Sequence, residues 1–408
     1  MKITLKGGNF MFKNTLLKVL TISILISSLF LTSCTTEEKT ITVQDDMQKM
    51  SNELDEDGRI FTKVRDLDIP EINGASIISV ANDSSLICSR NILSSSDKFY
   101  NDISILNSDN SINYIENNVD FLDRDFNNDI ITYFKDTELW SYDINTKEKK
   151  LLINLPEIKD DLKTYPYKIS NTNYVSILSY TGYNENSQNV IRILDLKTGK
   201  VHKSLPIKKI YISPNVFYSK ITNKFYTFSL TSQSIYEFSL DYMNPDTILS
   251  VSEIGNYNFK ISEQGNYIYL AQKDSTSGAL YLSKFNLINR ENITLLKVSP
   301  KEEEDLSWIS FDITGDTIVY AFYSQKDDIH DPAFYKSKLY TANISEDSLT
   351  NTQLLYSTPN GEATTLWFNL SENGSKLLNT VYTFLISEKD KNDYSTIPTK
   401  YTLYEKSN

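Results

Sequence analysis

Seven times between residues 77 and 384 the chain repeats one local unit: a short apolar run, a tight polar turn, and a second apolar run. The turn pairs are Asn82-Asp83, Asn127-Asn128, Asn171-Thr172, Thr222-Asn223, Gln264-Gly265, Thr314-Gly315 and Asn373-Gly374. Their second residues are spaced by 45, 44, 51, 42, 50 and 59 positions. A fixed period of this size marks a stacked or radial array of one supersecondary unit. The runs are rich in Ile, Val, Tyr and Phe and are bounded by Asx, Gly and Ser, which is the pattern of strands rather than helices.

A third strand follows each pair: Ile103–Asn107, Leu139–Asp143, Ile191–Asp195, Ile235–Ser239, Leu280–Asn286, Leu339–Asn343 and Tyr401–Glu405. Six copies continue into a fourth: Ile112–Ile115, Lys150–Ile153, Val201–Leu205, Thr247–Val251, Ile293–Val298 and Gln353–Tyr356. The seventh has none, while Ile60–Val64 precedes the first copy without a partner. If Ile60–Val64 supplies the missing outer strand, the ring closes and no edge is left open. The inner strand of blade two is read as Val119–Leu122.

Such units of four strands resemble the blades of a β-propeller. The turns Ile261-Ser262-Glu263-Gln264-Gly265-Asn266-Tyr267 and Leu370-Ser371-Glu372-Asn373-Gly374-Ser375-Lys376 resemble the WD40-like repeats of TolB-type propellers. The Pro-Asp-Gly triplet of that family is absent, so the resemblance concerns the fold, over about residues 60–405, and assigns no function. The expected fold is all-β, a propeller of seven four-stranded blades over residues 59–408 closed by an N-terminal strand. Two stacked β domains, and rings of six or eight blades, are the alternatives.

The N-terminus carries an address. Residues 1–33 hold Lys2, Lys6, Lys13 and Lys18 and no acid, and Val19–Leu31 is an uncharged run of thirteen. That length suits a signal-peptide core rather than a membrane span. It ends in Leu31-Thr32-Ser33-Cys34, which resembles the lipobox of bacterial lipoprotein signal peptides. The resemblance implies cleavage before Cys34, acylation of that cysteine with palmitate-type chains, and residence on the extracytoplasmic face of the cell membrane. Met11 is read as the true start, because Lys6-Gly7-Gly8 can be encoded by a ribosome-binding sequence.

Residues 34–58 form the acylated tether. Thr35–Gly58 holds eight acids against two bases and reads as a solvated spacer. Cleavage removes four lysines and no acids, so the formal charge of −12 becomes −16. A surface this acidic argues against nucleic acid as a partner. Two cysteines, Cys34 and Cys88, exclude a disulfide framework. Two histidines, His202 and His330, leave little room for His-based catalysis.

In a propeller the turns between the first and second strands lie on one face, here called the bottom. The long connections lie mainly on the other: 93–100, 181–188, 325–334, 387–400, 156–164 and 299–305. The top is therefore the candidate binding face. Trp308 and Trp367 each stand seven residues before a turn glycine and occupy equivalent inner-strand places. They read either as an aromatic platform for a sugar ring or peptide side chain, or as wedges between blades. Tyr165, Tyr167, Tyr183 and Tyr335 lie in or beside top loops.

No cofactor is expected. The weak metal readings are calcium at Asp123, Asp125, Asn127 and Asp129, half of an EF-hand-like loop whose closing position is Phe134, calcium at Glu53, Asp55 and Asp57 with Val64 at the closing position, and a divalent ion at Asp327, Asp328, His330 and Asp331. No Gly-x-Ser-x-Gly elbow, Walker or dinucleotide glycine pattern occurs. The functional expectation is a lipid-anchored binding module for an envelope protein, peptide or glycan. The alternative is a propeller glycoside hydrolase or lyase using two channel carboxylates, with Asp312 as a candidate. A scaffold role in an envelope assembly is the third reading.

Overall fold

In a computed structural model, the described residues are 59–67, 75–93, 99–122, 129–154, 164–169, 172–180, 188–204, 207–208, 212–229, 233–250, 259–300, 305–325, 335–359, 362–386 and 394–407. Residues 1–58, where the expected signal segment and tether with Cys34 fall, lie outside them. None of the described residues is helical, and no described helix is long and apolar enough to cross a membrane.

The strands form seven antiparallel sheets, with strands A to D ordered from the axis outward. Blade one comprises Ser76–Val80, Leu86–Leu93, Phe99–Leu106 and Ile112–Val119. Blade two comprises Phe121–Leu122, Ile130–Lys135, Glu138–Asp143 and Lys149–Asn154. Blade three comprises Thr164–Lys168, Tyr174–Tyr180, Gln188–Asp195 and Val201–Lys203, and Ile207–Lys208 also pairs its third strand. Blade four comprises Ile212–Ser219, Lys224–Ser229, Ser234–Phe238 and Asp246–Ser250. Blade five comprises Phe259–Ile261, Tyr267–Lys273, Leu280–Asn286 and Asn292–Val298. Blade six comprises Asp305–Thr314, Thr317–Gln325, Tyr335–Ile344 and Leu349–Ser357. Blade seven comprises Glu362–Leu370, Lys376–Ile386 and Tyr394–Lys406, and its outer strand is Phe61–Leu67.

The N-terminal strand thus closes the ring, pairing Phe61 with Lys406 and Leu67 with Tyr401. The core is divided in the same way. Seven buried apolar clusters occur, one in each seam between neighbouring blades. The cluster of Ile77, Val80, Leu86 and Cys88 with Leu378 and Leu403 joins blade one to blade seven. A ring of seven seams excludes two stacked domains and fixes the blade number. Each sheet is apolar on both faces because each packs on two neighbours, so the strands read as near-continuous apolar runs.

The bottom rim is stitched turn to turn. In blades five and seven, Ser262 and Ser371 organise the turns that resemble the TolB-type repeat. Ser262 Oγ accepts the N–H groups of Asn266 and Tyr267, Ser371 Oγ accepts that of Lys376, and in each turn the glycine N–H donates to the serine carbonyl. Gly265 and Gly374 carry φ of +75° and +68°, while Ser84, Asp129 and Asn223 adopt the left-handed region in other blades. That explains why some turns manage without glycine. Bonds between turns include Asn373 N–H to Asn82, Asn82 N–H to Asp129, Ser219 Oγ to the Gly265 carbonyl, and Gly315 N–H to Glu263.

One boundary differs from expectation. Val119 ends the outer strand of blade one, paired with Asn101, and the inner strand of blade two is only Phe121–Leu122. Asp120 alone makes the crossing. Its N–H donates to the Phe134 carbonyl and its carboxylate accepts the Asp136 N–H. Val119 and Phe121 alternate about Asp120 as they would within one strand, so period alone could not mark the corner. The insertion expected at 387–400 is also shorter, because the third strand of blade seven already begins at Tyr394.

Candidate functional site

Three buried or half-buried carboxylates, on an inner, a third and an outer strand, act as staples between blades. Asp312, on the inner strand of blade six, is buried. Its Oδ1 accepts Lys260 Nζ of blade five at 2.6 Å and the Ile313 N–H at 2.8 Å. Its Oδ2 accepts the Leu370 N–H of blade seven at 2.8 Å. One carboxylate therefore joins three blades, with both oxygens engaged, which removes it as a free channel acid. Glu237 of blade four accepts Lys224 at 2.6 Å and Arg290 of blade five at 2.8 Å. Glu116 of blade one accepts Lys135 at 2.6 Å and also Lys149, both of blade two. Burial alone would raise the Glu116 carboxyl, but the hydrogen bonds from Lys135 and Lys149 outweigh it and hold the group down at about 2.

The two tryptophans occupy equivalent faces and meet different fates. Trp308 is half-buried in the seam toward blade seven. It stacks on Tyr323, its cross-strand partner, at 4.6 Å between ring centroids, and meets Tyr335 edge-on at 4.5 Å. Tyr323 in turn donates to the Leu366 carbonyl of blade seven at 2.9 Å. Trp308 and Tyr335 are therefore wedge residues, not a platform. Tyr335 is buried, so its reading as a top-face contact is corrected.

Trp367 is 44% exposed. Its cross-strand partner is Thr380, and the same face carries Leu378, which packs against blade one. Trp367 thus looks into the seam toward blade one, as Trp308 looks into the seam toward blade seven. Beside it stands a threonine where blade six has Tyr323. Tyr382, two residues along the same face, is 37% exposed. On the adjoining third strand, Tyr401 faces Thr380 across the ladder.

Among the described residues, the buried polar side-chain atoms without a hydrogen-bond partner are Thr365 Oγ1, Asn369 Oδ1, both side-chain polar atoms of Asn379, and Thr380 Oγ1. All lie on the first two strands of blade seven. Thr365 and Asn369 flank Trp367 on its own strand face, and Thr380 lies opposite it. The three same-face neighbours of the indole therefore each carry an unpaired polar atom. Each such group costs about 1–3 kcal/mol relative to a paired one. Asn379 faces the opposite seam with Phe368. This set was missed in the sequence. The alternation Thr365-x-Trp367-x-Asn369 on an inner strand is the signal that could have revealed it.

The other candidates fall as follows. Tyr167 is half-buried on the inner strand of blade three, paired with Ser176. The backbone of Tyr165 lies on that strand, while its side chain and all of Tyr183 lie outside the description. Asp123, Asp125, Asn127, Asp327, Asp328 and Asp331 lie outside the described residues. Asp129 is buried, accepting the Asn82 N–H at 3.1 Å and Asn145 Nδ2 at 3.4 Å. Among the described residues no group of three or more His, Cys, Asp or Glu could hold a metal ion. Cys88 is fully buried, and burial pushes its thiol up to about 12. His202 is on an outer strand with Nδ1 at 3.1 Å from the Leu240 carbonyl, and His330 lies outside the described residues.

Comparison with solved structures gives the same architecture. An oligogalacturonate lyase in complex with manganese aligns at a TM-score of 0.51 and 12% identity, covering 85% of this chain and 96% of its own. The oligogalacturonate lyase of Vibrio parahaemolyticus aligns at 0.51 and 11% identity, covering 84% and 97%. At such identity the likeness concerns the fold alone. No family model matches the chain, and no curated protein matches it.

Proposed function

We propose that this chain is an extracytoplasmic lipoprotein, held on the cell membrane through acylated Cys34. Its propeller is a binding module for a protein, peptide or glycan of the cell envelope. One observation carries the binding reading: Trp367 is left 44% exposed at the inner-strand position where blade six holds its own tryptophan half-buried against Tyr323 and Tyr335. A solvent-exposed aromatic face on a rigid ring suits recognition. The staple role of Asp312 weighs against the hydrolase or lyase alternative, which needs two free channel carboxylates.

The path of the chain suits presentation of that face. Phe61 pairs with Lys406, whose N–H donates to the Ser375 carbonyl in the bottom turn of blade seven. The tether therefore joins the propeller at its bottom, opposite the long connections. A 25-residue tether reaches about 85 Å when extended and about 28 Å on average as a flexible coil.

The test is direct. Radiolabelled palmitate should enter the wild-type chain and not Cys34→Ala, which should leave the membrane fraction. Incorporation independent of Cys34 overturns the anchor. Affinity capture from detergent-solubilised envelope should recover a component that competes with labelling of Trp367. Absence of any saturable binding overturns the module.

A further inference from the structure

The seam between blades seven and one differs from the others in chemistry. Its inner, upper part presents Trp367 and Tyr382, 44% and 37% exposed, beside three unpaired polar atoms. Below it, Leu378 and Leu403 seal against Ile77, Val80 and Leu86 of blade one. Thr380 is completely buried, and its hydroxyl has no partner. A threonine isosteric with valine would serve packing better as valine, so the hydroxyl needs another explanation.

We infer that this seam is a subsite for an uncharged pyranose ring, stacked on the Trp367 indole and hydrogen-bonded by Thr365, Asn369 and Thr380. The inference rests on the binding-module reading and names its ligand class.

A pyranose is a disc with apolar C–H faces and a polar rim. Its C–H groups carry partial positive charge and meet the negative face of an indole favourably. Here the indole is bordered within its own sheet face by two hydroxyls and one amide oxygen. A hydroxyl both donates and accepts, and the Asn369 oxygen accepts, so together they match the mixed character of sugar hydroxyls. The unpaired atoms are shielded by their neighbours, and rotation of the adjoining indole is the movement that would bring ligand hydroxyls to them. An arrangement that leaves them unpaired when empty favours that movement on binding. The face carries no charge at Thr365, Trp367, Asn369, Leu378, Thr380 or Tyr382, and the chain as a whole is strongly acidic. Both facts select against uronic acids and other anionic sugars.

The experiment is calorimetric titration of the detergent-solubilised full-length chain. The probes are neutral trisaccharides of glucose, galactose, mannose and N-acetylglucosamine, with trigalacturonate as the anionic comparison. At least one neutral probe should bind saturably and trigalacturonate should not. Trp367→Ala should weaken that binding at least tenfold, and Thr380→Val at least threefold, while Trp308→Phe leaves it unchanged. The thermal midpoint of Thr380→Val should equal or exceed that of wild type, which separates a ligand contact from a structural role.

Binding only of trigalacturonate overturns the inference, as does binding of no saccharide. Unchanged neutral-sugar affinity in Trp367→Ala and Thr380→Val also overturns it, but leaves the binding module standing with its glycan elsewhere. If no saccharide binds while a peptide or protein of the envelope does so saturably, the inference fails and the module again stands. If nothing binds, both fail.

Discussion

The side-chain amide of Gln353 holds the backbone of Phe61 from both sides. Its Oε1 accepts the Phe61 N–H at 3.2 Å and its Nε2 donates to the Phe61 carbonyl at 3.0 Å. The same oxygen accepts the Ile60 N–H at 3.0 Å. Gln353 belongs to the outer strand of blade six, so one buried amide fastens the closing strand to the neighbouring blade. Gln353→Leu keeps the bulk and orphans three backbone groups. It should cost about 2–4 kcal/mol. Equilibrium urea unfolding measures it, and a loss below about 0.5 kcal/mol would show that the closing strand is held by β pairing and apolar contacts alone.

Acid sensitivity should centre on the staple between blades one and two. The Glu116 carboxyl stands at about 2, against an ordinary value of 4.5. Its folded value is depressed, so its stabilising contribution is complete above about 4.5 and fades as pH falls toward 2. Glu116→Gln is less stable than wild type at neutral pH. Its midpoint should fall less than wild type between pH 5 and pH 2.5, so the two curves converge on acidification. Parallel curves would mean that Lys135 and Lys149 do not hold the carboxylate in solution.

Two turn glycines separate conformational from steric demand. Gly265 has φ of +75°, and a Cβ there would come within 3.1 Å of Ser219 Cα in blade four. Gly315 has φ of +57° with nothing within 4 Å of that position. Gly315→Ala should therefore cost only the left-handed penalty, about 1 kcal/mol. Gly265→Ala pays that and must also push the blade-four turn away, for a total of about 2–3 kcal/mol. Thermal unfolding of the two variants side by side tests the order. Equal losses would refute the account of rim contact.

These sites mark where sequence reading succeeds and where it stops. Strand runs, turns and the unpaired Ile60–Val64 are local or countable, so the ring and its closure could be read directly. Val119–Leu122 could not be divided, because Val119, Asp120 and Phe121 keep the apolar–polar alternation of a single strand across the one-residue corner. Trp308 and Trp367 look alike by spacing. Their difference depends on the residue that register places opposite each, Tyr323 in one case and Thr380 in the other. Asp312 reads as a channel acid until Lys260 and Leu370, more than fifty residues away on either side, are brought to its two oxygens.

The placement of the tether predicts which face an anchored molecule shields. Lys197 is exposed in a bottom turn of blade three, and Thr276 is exposed in a top turn of blade five. Each can be replaced by cysteine as a maleimide target. Background should be low if Cys34 is acylated as proposed, because Cys88 is buried with its thiol held at about 12. With the natural tether, both positions should label at similar rates on intact cells. Deleting residues 40–57 draws the bottom turns to the membrane, because little chain remains between the lipid and Phe61. Labelling of Lys197→Cys with a bulky polyethylene-glycol maleimide should then slow several-fold, while Thr276→Cys is unaffected. Slowing at Thr276 alone would reverse the orientation, and the top connections would face the bilayer instead of the envelope.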